Sequence, residues 1–255
     1  MTKKEDHIAL FIDCDNISHK AIEGIINELS KYGVVNIRQA YGNWTKENLK
    51  NWEEKLLEFA IRPIQQFDYS RQKNATDMLM AIDAMDMLHT KQIDAFALAT
   101  SDSDFTPLVM RIQAEGIKVF GFGEKKTPKP FIAACSQFIF TENLMSDTAA
   151  DEAPRRESAP GKAASGVRKT GAQLRRDKWL VNLLRTAVEQ TMDDYGWANL
   201  SDVGQYINNK SSFSPLNYGY KKLSHLIKEI GLFDIAYDDV SKQMSIRDKK
   251  FQPDE

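Results

Sequence analysis

The 255-residue chain is long enough for two modest domains, and its 42% hydrophobic and 27% charged residues are ordinary globular proportions. A formal net charge of −2 excludes a basic nucleic-acid sponge, so any nucleic-acid contact has to come from local patches or bound cations. No apolar run approaches the ~20 residues that span a bilayer, and no cleavage site follows the first short apolar stretch, so the sequence predicts a soluble, cytoplasmic protein with no membrane partner.

HIALFI (7–12) is a continuous apolar run, the pattern of a strand buried on both faces. Ile22, Ile25, Ile26 and Leu29 recur at helical spacing within Ile17–Tyr32. VVNIRQAYG (34–42) and IRPIQQF (61–67) read as strands with a helix, Lys46–Ala60, between them. Ala75–His89 is a strongly periodic helix, and Ile93–Ala99 is the next strand. Pro107 falls in the first turn of the helix that follows, where a missing N–H costs nothing. IKVFGFG (117–123) and QFIFT (137–141) complete the series. Strand–helix alternation of this kind predicts a Rossmann-like α/β domain over residues 6–145, with a mostly parallel sheet flanked by helices.

Residues 146–173 lack aromatic side chains and are filled with Ala, Ser, Gly, Pro and mixed charge, so they read as a disordered linker. Its Arg155, Arg156, Lys162, Arg168 and Lys169 read as solubilising charge more than as a phosphate-binding run. Beyond it, residues 174–250 change grammar. Trp179–Thr191, Leu200–Asn208 and Tyr220–Ile230 are short amphipathic helices, and Phe233–Tyr237 and Gln243–Ile246 are short strands. Three helices and a hairpin predict a small winged-helix domain.

In an open parallel sheet, ligands collect beyond the carboxyl ends of the strands. Asp13-Cys14-Asp15-Asn16 follows the first strand, Thr100-Ser101-Asp102-Ser103-Asp104 follows Ile93–Ala99, and Lys73-Asn74-Ala75-Thr76-Asp77 leads into the third helix. All three segments belong on one sheet edge, so Asp13, Asp77, Asp102 and Asp104 are expected to converge. Close carboxylates repel one another unless a cation neutralises them, and hard oxygen donors suit Mg²⁺ or Mn²⁺. Each aspartate also has a plainer role open to it: Asp77, Asp104 or Ser103 can cap a helix. Asp15 is a secondary candidate, and Asp83, six residues along its helix from Asp77, points elsewhere. His19 reads as an exposed helix residue, and Cys14, with no Cys-His spacing around it, as a small buried filler.

At FIDCDN (11–16), KNATDMLMAIDAM (73–85) and ATSDSDFTPLV (99–109) the sequence resembles the NYN family, a branch of the PIN-like nucleases that includes the LabA-like bacterial proteins. The resemblance covers about residues 6–145. It implies metal-dependent endonuclease chemistry on RNA, with Asp13, Asp77, Asp102 and Asp104 as ligands. It also implies that Asn16 orients ligands or a substrate phosphate and that Ser101 is the small hydroxyl residue beside the third carboxylate. Many members carry glycine just before the Asp77 position, where this chain has Ala75-Thr76. The C-terminal part, at LSDVGQYI (200–207) and GYKKLSHLIKEIGLFDI (219–235), is similar to the LOTUS or OST-type winged-helix domain. That likeness implies binding of guanine-rich or structured RNA, or protein docking in some members. Tyr218, Tyr220, Lys221, Lys222 and Lys228 are the candidate contacts, aromatics for stacking and lysines for phosphate.

Two rival readings stand beside this one. Asp13-Cys14-Asp15 after a buried strand is also the mark of haloacid-dehalogenase-like phosphatases, although Asn16 and the early Asp102-Ser103-Asp104 pair depart from their pattern. The other rival is a catalytically inactive RNA-binding adaptor, against which the intact carboxylate set speaks. The oligomeric state is not legible in the sequence.

Overall fold

The computed structural model describes residues 5–67, 75–90, 93–145, 168–238 and 242–251. The chain divides into two compact units.

The first unit runs β1 (Asp6–Asp13), α1 (Ile22–Leu29), β2 (Gly33–Gly42), α2 (Glu53–Glu58), β3 (Arg62–Gln65), α3 (Ala75–Thr90), β4 (Ala95–Ala99), α4 (Thr106–Ala114), β5 (Lys118–Gly123), α5 (Lys129–Ala134) and β6 (Gln137–Phe140). All six strands are parallel and lie in the order β3-β2-β1-β4-β5-β6. The Rossmann-like α/β expectation therefore holds, with β1 and β4 adjacent where the strand order reverses. Ile8–Ile12 and Ala95–Ala99 are at most 1% exposed, which is why these two read as unbroken apolar runs. Ala9 and Phe11 of β1 pack with Phe96 and Leu98 of β4 against Met80 and Ala84 of α3 and Leu108, Val109 and Ile112 of α4.

Local departures from the expected elements have simple causes. Within Lys46–Ala60, residues Glu47–Trp52 form a 3₁₀ turn before α2 begins. Leu49 and Trp52, three apart and both buried, match the three-residue period of that turn. The first helix is also shortened, to Ile22–Leu29, because Ser18 starts a separate 3₁₀ turn at His19–Ala21 and accepts a hydrogen bond from the Lys20 N–H. The six-residue α5 begins between Pro128 and Pro130, and these two prolines hide its helical pattern in the sequence.

The second unit comprises α6 (Gly171–Arg176), α7 (Lys178–Glu189), β7 (Ala198–Asn199), α8 (Leu200–Lys210), α9 (Leu223–Ile230), β8 (Phe233–Tyr237) and β9 (Met244–Asp248). Its strands form an antiparallel sheet in the order β7-β9-β8. Leu180, Leu184, Val203, Ile207, Leu226, Ile227, Ile230, Phe233 and Ile246 build the core. The helix expected from Tyr220 starts only at Leu223, because a 3₁₀ turn at Pro215–Tyr218 ends on left-handed Gly219 (φ 82°). The tail of the stretch read as a linker is structured. Thr170 and Gln173 form a reciprocal capping box that opens α6, a Thr-x-x-Gln signal hidden in a polar composition. Residues 146–167, including Arg155, Arg156 and Lys162, lie outside the described residues, as do Lys73 and Asn74 of the third motif.

Candidate metal and nuclease site

Asp13 is the last residue of β1, and Thr100 is the first residue after β4. The parallel register sets Ile12 beside Ala99, so the next residues out, Asp13 and Thr100, meet at the switch point. Asp13 is 1% exposed and Thr100 is fully buried. The Thr100 hydroxyl donates to Asp13 Oδ2 at 2.8 Å, and Asn16 Nδ2 donates to the same oxygen at 2.6 Å. The Asp15 N–H donates to Asp13 Oδ1 at 3.2 Å. Burial lifts the Asp13 carboxyl above the ordinary carboxylate range, while the bonds from Asn16 and Thr100 pull it back down. Gly123, at the end of β5, permits this packing, since a Cβ there would stand 2.7 Å from the Thr100 carbonyl oxygen and 2.7 Å from Thr127 Oγ1.

Thr100 also accepts the Asp102 N–H at 3.1 Å, and Asp102 Oδ1 accepts the Asp104 N–H at 2.8 Å. Asp102, rather than Asp104 or Ser103, thus caps the short 3₁₀ turn Ser103–Phe105 that leads into α4. Asp77 lies in the first turn of α3. Its carboxyl is pushed up to about 6, first by burial and then by the negative charges of Asp13, Asp102, Asp15 and Asp104. The sheet edge therefore gathers Asp13, Asp77, Asp102 and Asp104 within electrostatic reach of one another. Asp15 is exposed and pairs with Lys46 at 3.5 Å.

Several expected roles are relocated. Ser101 does not reach the carboxylates; its hydroxyl accepts the Glu124 N–H at 2.9 Å and ties the loop after β4 to the end of β5. Thr100 is the hydroxyl on Asp13, and the signal for it was available, because it is the first polar residue after five buried ones on the strand beside β1. Asp83 accepts a hydrogen bond from the Tyr41 hydroxyl at 2.9 Å, away from Asp77. His19 is half-buried beside Trp52 rather than exposed. Cys14 is a buried thiol that burial pushes well up, as fits a core filler.

Tyr218 and Tyr220 are core residues and not stacking platforms. Tyr220 is 2% exposed, its hydroxyl donates to the Lys169 carbonyl, and Arg168 covers its ring at 4.5 Å. Tyr218 is 9% exposed and packs against Phe213, and its hydroxyl donates to Asp177 Oδ2 at 3.3 Å. The turn at Gly219 folds both rings inward, which helical spacing alone conceals. Lys221, Lys222 and Lys228 remain exposed, with the Lys228 ammonium 5.4 Å from the Tyr237 ring centre.

Among the described residues, no three His, Cys, Asp or Glu side chains are drawn tightly enough together to grip an ion. Asp13 spends both oxygens on internal donors, and Asp102 spends one on its own cap. The donor chemistry nonetheless fits a hard divalent cation: all the groups are carboxylates, and each raises Asp77 by like-charge repulsion that such a cation relieves.

A doubly wound parallel sheet with an acidic cluster at its switch point defines the first unit as a Rossmann-like α/β domain with a carboxylate site. The model of the NYN domain matches residues 7–144, and that of the OST-HTH/LOTUS domain matches residues 175–244. The chain belongs to the NYN family, a PIN-like nuclease family, and carries a C-terminal OST-HTH/LOTUS domain of an RNA-binding type. An uncharacterized protein of Methanocaldococcus jannaschii is 31% identical over 125 residues, 48% of this chain and 49% of the relative. The chain thus spans about half the length of that curated relative. A solved protein of unknown function from Vibrio parahaemolyticus is similar at 19% identity and a TM-score of 0.46, covering 55% of this chain and 95% of its own. An uncharacterized protein from Nitrosomonas europaea is similar at 29% identity and a TM-score of 0.28, covering 40% of this chain and 98% of its own. No helix among the described residues is long and apolar enough to cross a membrane.

Proposed function

We propose that this protein is a metal-dependent endoribonuclease, with Asp13, Asp77, Asp102 and Asp104 holding Mg²⁺ or Mn²⁺ and the OST-HTH/LOTUS unit engaging single-stranded or structured RNA, guanine-rich RNA included. The observation that carries the reading is the gathering of Asp13, Asp77, Asp102 and Asp104 at the carboxyl edge of the sheet, where the like charges of the other three bear on Asp77. A bound divalent ion supplies a lowered pKa for an attacking water and stabilises charge developing on the phosphate. The residues of the chain do the positioning. Thr100 and Asn16 lock the Asp13 carboxylate in one orientation from opposite flanking loops. The cap bond to the Asp104 N–H restrains Asp102, so that two carboxylates are preset before any ligand arrives. Asp77 exchanges a proton near neutrality, so protons compete with a cation at this edge below about pH 6.

Family membership favours this reading over the phosphatase one, since the match spans residues 7–144 and with them all six strands of the first unit. The test is incubation of the purified protein with end-labelled linear RNA and with circular RNA, in Mn²⁺, Mg²⁺ or EDTA, with Asp102→Asn alongside. Opening of the circle by the wild type alone, abolished by EDTA, is the expected result. RNA that is bound but never cut under any metal would make the protein an inactive adaptor and end the catalytic reading.

A further inference from the structure

With Tyr218 and Tyr220 in the core, any base-stacking surface of the second unit has to be sought elsewhere. Among the described residues of that unit, three large aromatic side chains are strongly exposed: Trp179 at 54%, Tyr195 at 76% and Tyr237 at 51%. Their surroundings differ in charge. Tyr195 directly follows Asp193 and Asp194, and Tyr237 sits on β8 between Asp234 and Asp238. A polyanion is repelled at Tyr195, while at Tyr237 the ring face is already taken by the Lys228 ammonium at 5.4 Å. Trp179 stands at the start of α7, at the end of a segment, residues 168–179, that carries Arg168, Lys169, Arg175, Arg176 and Lys178 against the single acid Asp177. Asp177 is itself engaged, since it caps α7 through the Leu180 N–H and accepts the Tyr218 hydroxyl. Arg168 pairs with Glu229, and Arg175 donates to the Ile230 carbonyl. Arg176 and Lys178 are exposed and take no ion-pair partner among the described residues.

The Trp179 ring is also held in place. It leans on Phe213 with ring centres 6.4 Å apart, Phe213 leans on Tyr218 at 5.8 Å, and the Lys169 ammonium covers Tyr218 at 4.5 Å. Three aromatic rings thus run in series from a lysine to an open tryptophan face. Because the inner two are buried, the outer ring has a fixed backing, and stacking on it carries little further ordering cost.

From this juxtaposition we infer that Trp179 is the stacking platform of the OST-HTH/LOTUS unit for an unpaired base of single-stranded RNA, with Arg176 and Lys178 contacting the flanking phosphates. Aromatic rings bind any base by stacking, and neighbouring cations take up the backbone charge. The inference rests on the RNA reading of the preceding subsection and assigns it to a surface that the lysines of α9 do not share.

The test uses the full chain in EDTA, so that no cleavage intervenes, with a fluorescently labelled single-stranded RNA followed by anisotropy. Stacking on one aromatic residue is worth enough that Trp179→Leu weakens binding by about ten-fold. Trp179→Phe keeps most of the affinity, and Tyr195→Ala leaves it unchanged. Arg176→Gln with Lys178→Gln lowers the slope of log affinity against log salt by about 1.4, the contribution of two phosphate contacts on a single strand. Trp179→Leu retains apolar volume on Phe213, and an unchanged melting temperature confirms that the loss is one of binding. If Trp179→Leu binds RNA as the wild type does, the inference falls while the RNA reading stands. If the wild type binds no RNA at all, the RNA reading falls first. If instead Trp179→Leu splits a dimer in sedimentation while RNA affinity holds, the ring is a self-association contact and the inference is overturned.

Discussion

Thr100→Val is the substitution that asks most of the proposed site. Valine matches threonine in shape but lacks the hydroxyl that donates to Asp13 Oδ2 at 2.8 Å and accepts the Asp102 N–H at 3.1 Å. Both partners of the first bond are sealed from water, with Thr100 fully buried and Asp13 only 1% exposed. A hydrogen bond to a charged group contributes about 1.5–3 kcal/mol, and here no water can replace it. The Asp102 N–H lies nearer the surface and adds less, so a loss of about 3 kcal/mol is expected in all. For a unit of this size that lowers the melting temperature by about 10 °C. Calorimetry of the full chain in EDTA measures it on the transition of the NYN unit. Removing a hydrogen bond that orients a metal ligand also costs about 10–100-fold in metal affinity or activity. The same variant is therefore expected to cut RNA that much more slowly while the protein remains folded at 25 °C. With one hydrogen bond to its ionised form gone, the Asp13 carboxyl rises further and the active range moves to higher pH. A melting shift under about 3 °C, or cleavage within two-fold of wild type, would refute the assignment of Thr100 as the residue that orients Asp13.

Asp77→Asn is expected to stabilise the metal-free protein, by an amount that depends on pH. An aspartate held at about 6 instead of its usual 3.8 binds its proton more tightly folded than unfolded. It carries no penalty below about pH 4, and the penalty is complete above about pH 6. The unscreened gap is about 3 kcal/mol, and screening of this half-buried carboxylate leaves about 1–2 kcal/mol. Chemical denaturation in EDTA should show a gain at pH 7.5 that vanishes at pH 4; an equal gain at both would mean that charge crowding is not its source. Tyr218→Phe and Tyr220→Phe each delete only a buried hydroxyl, so each is expected to cost about 1 kcal/mol of stability and to leave RNA affinity intact. A several-fold loss of RNA binding in a folded Tyr→Phe variant would place those hydroxyls on the RNA after all.

The six strands were legible because their signals are of the kind that sequence carries directly. Ile8–Ile12 and Ala95–Ala99 are unbroken apolar runs because helices cover both faces of the sheet. The strand order follows from the same logic, since right-handed crossovers leave few ways to thread a series of strand–helix units. What escaped were features decided by contacts between distant residues. Thr170 looks like linker until Gln173 reciprocates its cap and Gly171 backs onto the Glu229 carbonyl, where a Cβ would lie 2.3 Å away. Tyr218 and Tyr220 look like the exposed start of a helix until Gly219 turns the chain at positive φ and carries both rings inward.

The carboxylate edge shows the same division at finer scale. That Asp13, Asp102 and Asp104 follow adjacent strands is a matter of topology, and topology was readable. Which hydroxyl serves Asp13 is a matter of parity. Side chains alternate along an extended chain, so of two consecutive hydroxyl residues after β4 only one can face β1. The register that sets Ile12 beside Ala99 selects Thr100, and Ser101 turns to the Glu124 N–H on the far side. A family motif records that a small hydroxyl residue stands next to the third carboxylate without recording which face it takes. The difference has consequences: Thr100 touches both Asp13 and the Asp102 backbone, so one buried hydroxyl couples the ends of two strands that meet at the switch point. Asp13 and Asp102 are thereby preset in relation to each other by the fold alone, whereas Asp77, on a separate helix, meets them only through like-charge repulsion, which a cation would relieve under the proposed function.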